Sequence, residues 1–354
     1  MIKVVVVDDS AFMRKAIGTM LDKDPEIEVV AYARDGEEGL DKIREHDPHV
    51  VTLDIEMPRM DGLTALKHIM MQMPRPVLMV SSLTTDGAEA TLKAMEYGAV
   101  DFIPKQLSKV SLDIVKIEKD LLNKVKTIAK RKVRPRSTRT RQSREKRVEP
   151  VRRKVVESRK RSKQLRDVVA FGVSTGGPPV VQRILSELPP DFPAGILIAQ
   201  HMPQAFTGPF AKRLGESCQL KVKEAEKGDV LRPGCVFVSP GGKHLTIEQK
   251  VSRIDVVVGD EPHDALYRPS VNVLMSSVAK AVGARGLGVI LTGMGSDGLL
   301  GIRELKTTGG CALAQSEETC VVYGMPKAIV DEGLADKVVS LEDMAGEIAS
   351  FLYA

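Results

Sequence analysis

No uninterrupted run of apolar residues in this 354-residue chain reaches the roughly 20 needed to span a bilayer as a helix. The first residues are equally unlike a signal peptide, because Met1-Ile2-Lys3 leads into four valines and then directly into Asp8 and Asp9. These absences make the cytoplasm the expected compartment. Cysteine is sparse, and Cys218, Cys235, Cys311 and Cys320 show neither C-x-x-C spacing nor a nearby histidine pair. That argues against a cysteine metal site or disulfide framework and leaves reduced, mostly buried thiols as the expectation.

What is present reads as a globular protein, with 43% hydrophobic and 28% charged residues. The length allows two domains, each with its own core. The net charge of +5 conceals an asymmetry. Between Lys124 and Arg166, 20 Lys and Arg stand against three acids (Glu145, Glu149, Glu157), a net +17, while the remainder holds 32 basic and 44 acidic residues, a net −12. Two acidic bodies are joined by a basic strap.

Along residues 1–122, short β-rich runs (Lys3-Val7, Glu28-Ala33, His49-Leu53, Pro76-Ser81, Val100-Ile103) alternate with stretches of helical spacing near 11–22, 36–46, 61–72 and 86–97, and a further helix follows near 111–129. Five such βα units predict a parallel sheet with helices on both faces. The apolar period disappears over 123–165, where Arg, Lys, Ser and Thr dominate, so this segment reads as a flexible linker. Periodicity returns in a third region, 166–354. Val168-Val173, Gly195-Ala199, Val289-Leu291 and Cys311-Ala314 read as buried strands. Helices are expected at 178–187, 270–282, 298–308 and 340–352. The stretch 222–258 reads as an antiparallel edge or hairpin, with turns at Pro240-Gly241-Gly242 and Glu248-Gln249-Lys250. The expected fold class is α/β: two doubly wound domains, the second mainly parallel with an antiparallel hairpin.

In the first domain Asp8 and Asp9 end one strand and Asp54 another, so three carboxylates converge where parallel sheets bind ligands. They would repel one another unless a hard divalent cation such as Mg²⁺ sat among them. Ser81 and Lys105, at two further strand ends, would flank the same pocket, and Asp54 is placed to attack a phosphoryl donor. The segments Val6-Val7-Asp8-Asp9-Ser10, Leu53-Asp54-Ile55-Glu56-Met57-Pro58, Val80-Ser81-Ser82 and Asp101-Phe102-Ile103-Pro104-Lys105 resemble response-regulator receiver domains. The resemblance implies Asp54 as phosphoacceptor, Asp9 as the chief Mg²⁺ side-chain ligand with Asp8 assisting, and a backbone carbonyl from Glu56. It also implies Ser81 and Phe102 as a switch pair and a histidine kinase as phosphodonor. Gln106 departs from the proline that the family places after the lysine.

In the second domain, Gly172-Val173-Ser174-Thr175-Gly176 fits the G-x-S-x-G nucleophile elbow in a strand-turn-helix context. A phosphate-cradling loop and a purely structural turn remain alternatives on the pattern alone, although the turn has neither G-x-G-x-x-G nor a Walker lysine. The serine needs a base, and of six histidines His201 alone ends a strand at the same sheet edge. His244 and His263 read as ordinary polar residues. Asp297, in the glycine-rich loop Leu291-Thr292-Gly293-Met294-Gly295-Ser296-Asp297-Gly298, is the candidate orienting acid, with helix capping as its bland alternative. The order Ser, His, Asp differs from that of ordinary α/β-hydrolases.

Gly172-Val173-Ser174-Thr175-Gly176-Gly177, Gln200-His201-Met202-Pro203, Tyr267-Arg268-Pro269-Ser270-Val271 and the 291–298 loop resemble the chemotaxis protein-glutamate methylesterases, the CheB family, and the resemblance covers the whole chain. It implies Ser174 as nucleophile, His201 as base, Asp297 as orienting acid, a backbone N–H of Met294 toward the oxyanion and Thr175 near the nucleophile, with no cofactor for the ester reaction. Methyl-accepting chemoreceptors are the implied substrate, with glutamine deamidation a possible second reaction and the unphosphorylated receiver covering the Ser174 crevice. The basic strap has no aromatic side chain to stack on bases, which argues against dedicated nucleic-acid binding. It leaves a solvated spacer or electrostatic contact with a receptor or membrane surface. The competing functions are a receiver-regulated esterase of other substrates, a DNA-binding response regulator and a non-catalytic scaffold.

Overall fold

The structure is a computed structural model that describes residues 1–105, 111–129 and 165–353. Gln106 and nearly all of the expected linker lie outside these residues. The chain divides into two compact units, Met1–Glu157 and Ser158–Ala354.

The first unit alternates β1 (Ile2–Val7), α1 (Ala11–Leu21), β2 (Ile27–Ala33), α2 (Gly36–His46), β3 (Val50–Asp54), α3 (Gly62–Gln72), β4 (Val77–Ser81), α4 (Thr85–Tyr97), β5 (Asp101–Pro104) and α5 (Ser111–Ile128). The strands pair in parallel in the order β2-β1-β3-β4-β5. Because helices cover both faces, β3 and β4 are buried at every position, which is why their sequences read as continuous rather than alternating apolar runs. Four helices start where a short polar side chain accepts a hydrogen bond from a first-turn amide: Ser10, Asp35, Asp61 and Thr84. The last helix runs past residue 122, and Val125 and Ile128 are buried in this unit's core.

The second unit contains β6 (Val168–Val173), α6 (Gly177–Glu187), β7 (Gly195–Gln200), α7 (Gln204–Ser217), β8 (Lys221–Glu224), β9 (Val230–Leu231), β10 (Cys235–Val238), β11 (His244–Gln249), β12 (Ile254–Gly259), α8 (Val271–Val282), β13 (Gly286–Ile290), α9 (Leu299–Thr307), β14 (Cys311–Gln315), α10 (Met325–Asp331), β15 (Lys337–Val339) and α11 (Met344–Phe351). Seven strands form a parallel sheet in the order β15-β14-β13-β6-β7-β10-β8. The chain builds outward from β6 in one direction and then returns to build in the other, so the order reverses between β6 and β13. A ligand crevice is expected beyond the carboxyl ends of strands at such a reversal.

The region 222–258 divides differently from its sequence reading. Strands β8 and β10 join the main sheet in parallel, and only β11 and β12 form an antiparallel hairpin, which pairs with β9 in a separate three-stranded sheet. Glu248 and Gln249 are strand residues; the hairpin turns one step later, where Lys250 N–H donates to Arg253 O (2.8 Å). The hairpin packs its apolar face (Leu245, Ile247, Val256) into the core with α8. All four cysteines are free thiols, and they are half-buried rather than buried. No helix of the described residues is long and apolar enough to cross a membrane.

Candidate active site and phosphoacceptor site

Adjacent strands β1 and β3 deliver Asp8 and Asp54 to one end of the first sheet. Asp8, Asp9 and Asp54 each offer a carboxylate oxygen within 4.8 Å of the others, with Asp8 and Asp54 buried and Asp9 exposed. The Lys105 ammonium lies 2.6 Å from Asp54 Oδ2 and 3.2 Å from Asp8 Oδ2, and the Ile55 N–H donates to Asp54 Oδ1 (2.7 Å). Burial, reinforced by the charge of Asp8, pushes Asp54 up from 3.8 to about 6 despite Lys105. Burial likewise raises Asp8. A cluster of oxygen ligands whose ionised state is this disfavoured fits a hard divalent cation.

Ser81 is buried and occupied: its hydroxyl accepts from Thr91 Oγ1 (2.7 Å) and lies 3.2 Å from Gly87 O. Phe102 is buried as well. Lys124 donates to its carbonyl (2.8 Å) and places its ammonium 5.6 Å from the ring centroid. Glu56 follows Asp54 in the same loop, its N–H at 3.4 Å from Asp54 Oδ1.

In the second unit, neighbouring strands β13, β6 and β7 all end at the reversal of strand order. The ladder pairs Val173 with Gln200 and Ile290 with Gly172, so Ser174 and His201 are the next residues on adjacent strands. Backbone bonds continue the ladder beyond the strands: His201 N–H donates to Val173 O (3.0 Å), and Ser174 N–H donates to Thr292 O (3.0 Å). Two glycines make the turn possible. A Cβ at Gly172 would lie 2.2 Å from Val271 Cγ1, and Gly176 has φ +75° with no room for a Cβ beside Val321.

His201 Nε2 lies 2.8 Å from Asp297 Oδ2, and its ring stacks on Tyr267 with centroids 4.3 Å apart and planes 14° apart. With Nε2–H on the carboxylate, Nδ1 is the nitrogen left to accept a proton. Among the described residues no hydrogen bond joins Ser174 Oγ to the imidazole; the serine is half-exposed at the neighbouring strand end. Burial pushes the Asp297 carboxyl up, but the His201 hydrogen bond, the His201 charge and the Asn272 and Val271 amides outweigh it, so its pKa lies below the ordinary value. Asp297 also caps a helix, but that helix is α8, not the helix that follows it in sequence.

Thr175 is buried, and its carbonyl accepts from Thr292 Oγ1 (2.9 Å). Met294 is half-buried in the loop between Gly293 and Asp297. Sequence reasoning missed the polar side chains that fasten these loops together. Thr292 Oγ1 accepts from the Val321 and Val322 amides (3.1 and 2.9 Å), Gln315 Oε1 accepts from Thr292 N–H (2.9 Å), and Gln200 Nε2 donates to Ser174 O (3.0 Å). His244, read as an ordinary polar residue, is buried, with Nδ1 accepting from Ser270 N–H (3.3 Å). His263 is exposed.

A receiver-type sheet, and a separate α/β sheet with a hydroxyl, an imidazole and a carboxylate at one edge, fit a hydrolytic enzyme linked to a receiver domain. Residues 169–348 match the CheB methylesterase family and residues 4–115 the response regulator receiver domain. The chain is 65% identical, over the full length of both, to protein-glutamate methylesterase/protein-glutamine glutaminase 2 of Nitratidesulfovibrio vulgaris. It is 63% identical, again over both full lengths, to protein-glutamate methylesterase/protein-glutamine glutaminase 1 of Oleidesulfovibrio alaskensis. The crystal structure of the Thermotoga maritima CheB methylesterase catalytic domain superposes with a TM-score of 0.51 at 37% identity, covering 52% of this chain and 98% of that one. The chain belongs to the CheB methylesterase family.

Proposed function

We propose that this chain is a cytoplasmic chemotaxis enzyme that hydrolyses glutamate γ-methyl esters, and deamidates glutamines, on chemoreceptors under control of its receiver. The observation that carries the reading is the 2.8 Å His201–Asp297 pair at the sheet edge where Ser174 follows the adjoining strand. Ser174 Oγ attacks the ester carbonyl as its proton passes to His201 Nδ1. Asp297, held ionised by its bond to His201 and by the α8 amides, stabilises the imidazolium and fixes its tautomer. Backbone N–H groups, with Met294 the candidate, take the oxyanion, each donor being worth ~3 kcal/mol. His201 returns the proton to the departing methoxide, methanol leaves, and water repeats the attack to free the glutamate carboxylate. With a glutamine substrate the leaving group is ammonia.

In the receiver, Asp54 accepts a phosphoryl group from a histidine kinase. Asp8, Asp9 and Asp54, with the Glu56 carbonyl, would hold Mg²⁺, which offsets the negative charge gathered there. Lys105 neutralises part of the same charge, and Ser81 and Phe102 respond to phosphorylation. The unphosphorylated receiver restrains the esterase, and phosphorylation relieves the restraint.

The test is methanol release from a methylated chemoreceptor cytoplasmic fragment. Ser174→Ala is expected to lower kcat by about 10⁴-fold or more, and Asp297→Asn by about 10³–10⁴-fold through loss of the productive tautomer. Methanol release by Ser174→Ala at the wild-type rate rejects the proposal.

A further inference from the structure

The loop that presents Asp297 is rich in glycine, with Gly293, Gly295 and Gly298 among its eight residues, and such a loop does not hold a carboxylate in place by itself. Its anchor lies across the gap to α8. Asp297 accepts four hydrogen bonds: from His201 Nε2 (2.8 Å) and Val271 N–H (2.7 Å) on Oδ2, and from Asn272 N–H (2.9 Å) and Ser270 Oγ–H (3.1 Å) on Oδ1. Three of these four donors belong to the first turn of α8, so Asp297 serves as a cap for a helix that is not its own.

The favour is returned. The N-cap position of α9 is Gly298, which has no side chain to offer. The acceptor instead comes from α8: Asn272 Oδ1 receives both Gly298 N–H and Gly301 N–H, each at 3.0 Å. The start of α8 therefore gains an acceptor from the loop that leads into α9, and the start of α9 gains one from α8. Asn272 holds both ends of the exchange, because its backbone amide binds Asp297 and its side chain binds the amide of the very next residue.

We infer that Asn272 is a positioning residue for catalysis, locking the Asp297 carboxylate onto His201 through this reciprocal cap. The inference rests on the proposed Ser174–His201–Asp297 reading. With the side chain truncated, the loop loses both amide anchors, and Asp297 keeps its α8 donors only as far as the slack glycines permit. Acyl transfer then slows while substrate still binds, which is the signature of a group that acts on the transition state through another residue. An aspartate at the same position keeps two acceptor oxygens for Gly298 and Gly301 but adds a negative charge beside the pair. The other charged or titratable groups of this region are His201, Tyr267 stacked on it, and His244 behind Ser270, with Arg268 and Asp260 acting on His244.

The experiment measures methanol release from a methylated receptor fragment by the full chain across a range of pH, with thermal melting of each variant. Asn272→Ala is expected to lower kcat about 10–100-fold with KM within about twofold. Asn272→Asp is expected to recover most of the lost kcat. It also moves the acidic limb of kcat/KM upward by about half a pH unit or more, because the added charge favours the imidazolium. Wild-type kcat in Asn272→Ala, no recovery in Asn272→Asp, or an unmoved acidic limb in Asn272→Asp overturns the inference. Should Asn272→Ala melt below the assay temperature, the Asn272→Asp profile decides alone. Ser174→Ala runs in parallel: activity surviving there removes the underlying catalytic reading, whereas its loss beside unaffected Asn272 variants removes only the positioning role.

Discussion

Asp54 and Asp297 are both buried carboxylates near the carboxyl end of a parallel sheet, yet their surroundings push them in opposite directions. Asp297 faces an imidazole and the positive end of α8, so it is held ionised. Asp54 is buried beside Asp8, and Lys105 cannot fully compensate, so its pKa stands at about 6. Between the ordinary value of 3.8 and about 6 the folded receiver binds more protons at Asp54 than the unfolded chain does. This group therefore makes the receiver less stable as pH rises through that window. A divalent cation relieves the strain only when the carboxylates are ionised. Mg²⁺ is expected to raise the melting temperature of the receiver transition at about pH 8 and to have little effect at about pH 4.5. Calorimetry of the wild type and Asp54→Asn checks this, and the variant should respond weakly at both values.

At the scale of elements, the turn from β6 into α6 carries a steric demand that only glycine meets. Gly176→Ala combines a left-handed φ with a Cβ only 2.3 Å from Val321. It is expected to cost about 1–3 kcal/mol of stability and to reduce methanol release by displacing Ser174, while phosphorylation of Asp54 stays normal. Largely buried strands were plain in the sequence: β1, β3, β6 and β7 are mainly apolar runs that end in a polar residue, as at Asp54 and Gln200, or lead directly into one, as at Asp8 and Ser174. Helix α7 was hidden because Gly208, Pro209 and Gly215 interrupt it, although Phe206, Phe210 and Leu214 keep the buried period. Strand β8, Lys-Val-Lys-Glu at the sheet edge, and the three-residue β15 carry too little apolar pattern to betray a parallel strand. The candidate site was legible wherever a rare residue type followed directly on a strand, as His201 follows β7. Thr292, Gln315 and Asn272 were not legible: polar residues of their kinds are common, and their importance lies in partners distant along the chain.

At the scale of the whole molecule, one chain carries a phosphoacceptor and an esterase, and the account requires the first to govern the second. The governing step needs only that phosphorylation at Asp54 lift a restraint on the catalytic unit, so the response must vanish when either end of the relay is removed. Methanol release from a methylated chemoreceptor fragment, followed with and without acetyl phosphate and Mg²⁺, tests this in one assay on the full chain. Wild type is expected to accelerate when the phosphodonor is added, Asp54→Asn to keep its basal rate without acceleration, and Ser174→Ala to release no methanol under either condition. Equal acceleration in Asp54→Asn, or methanol from Ser174→Ala at the wild-type rate, contradicts the account.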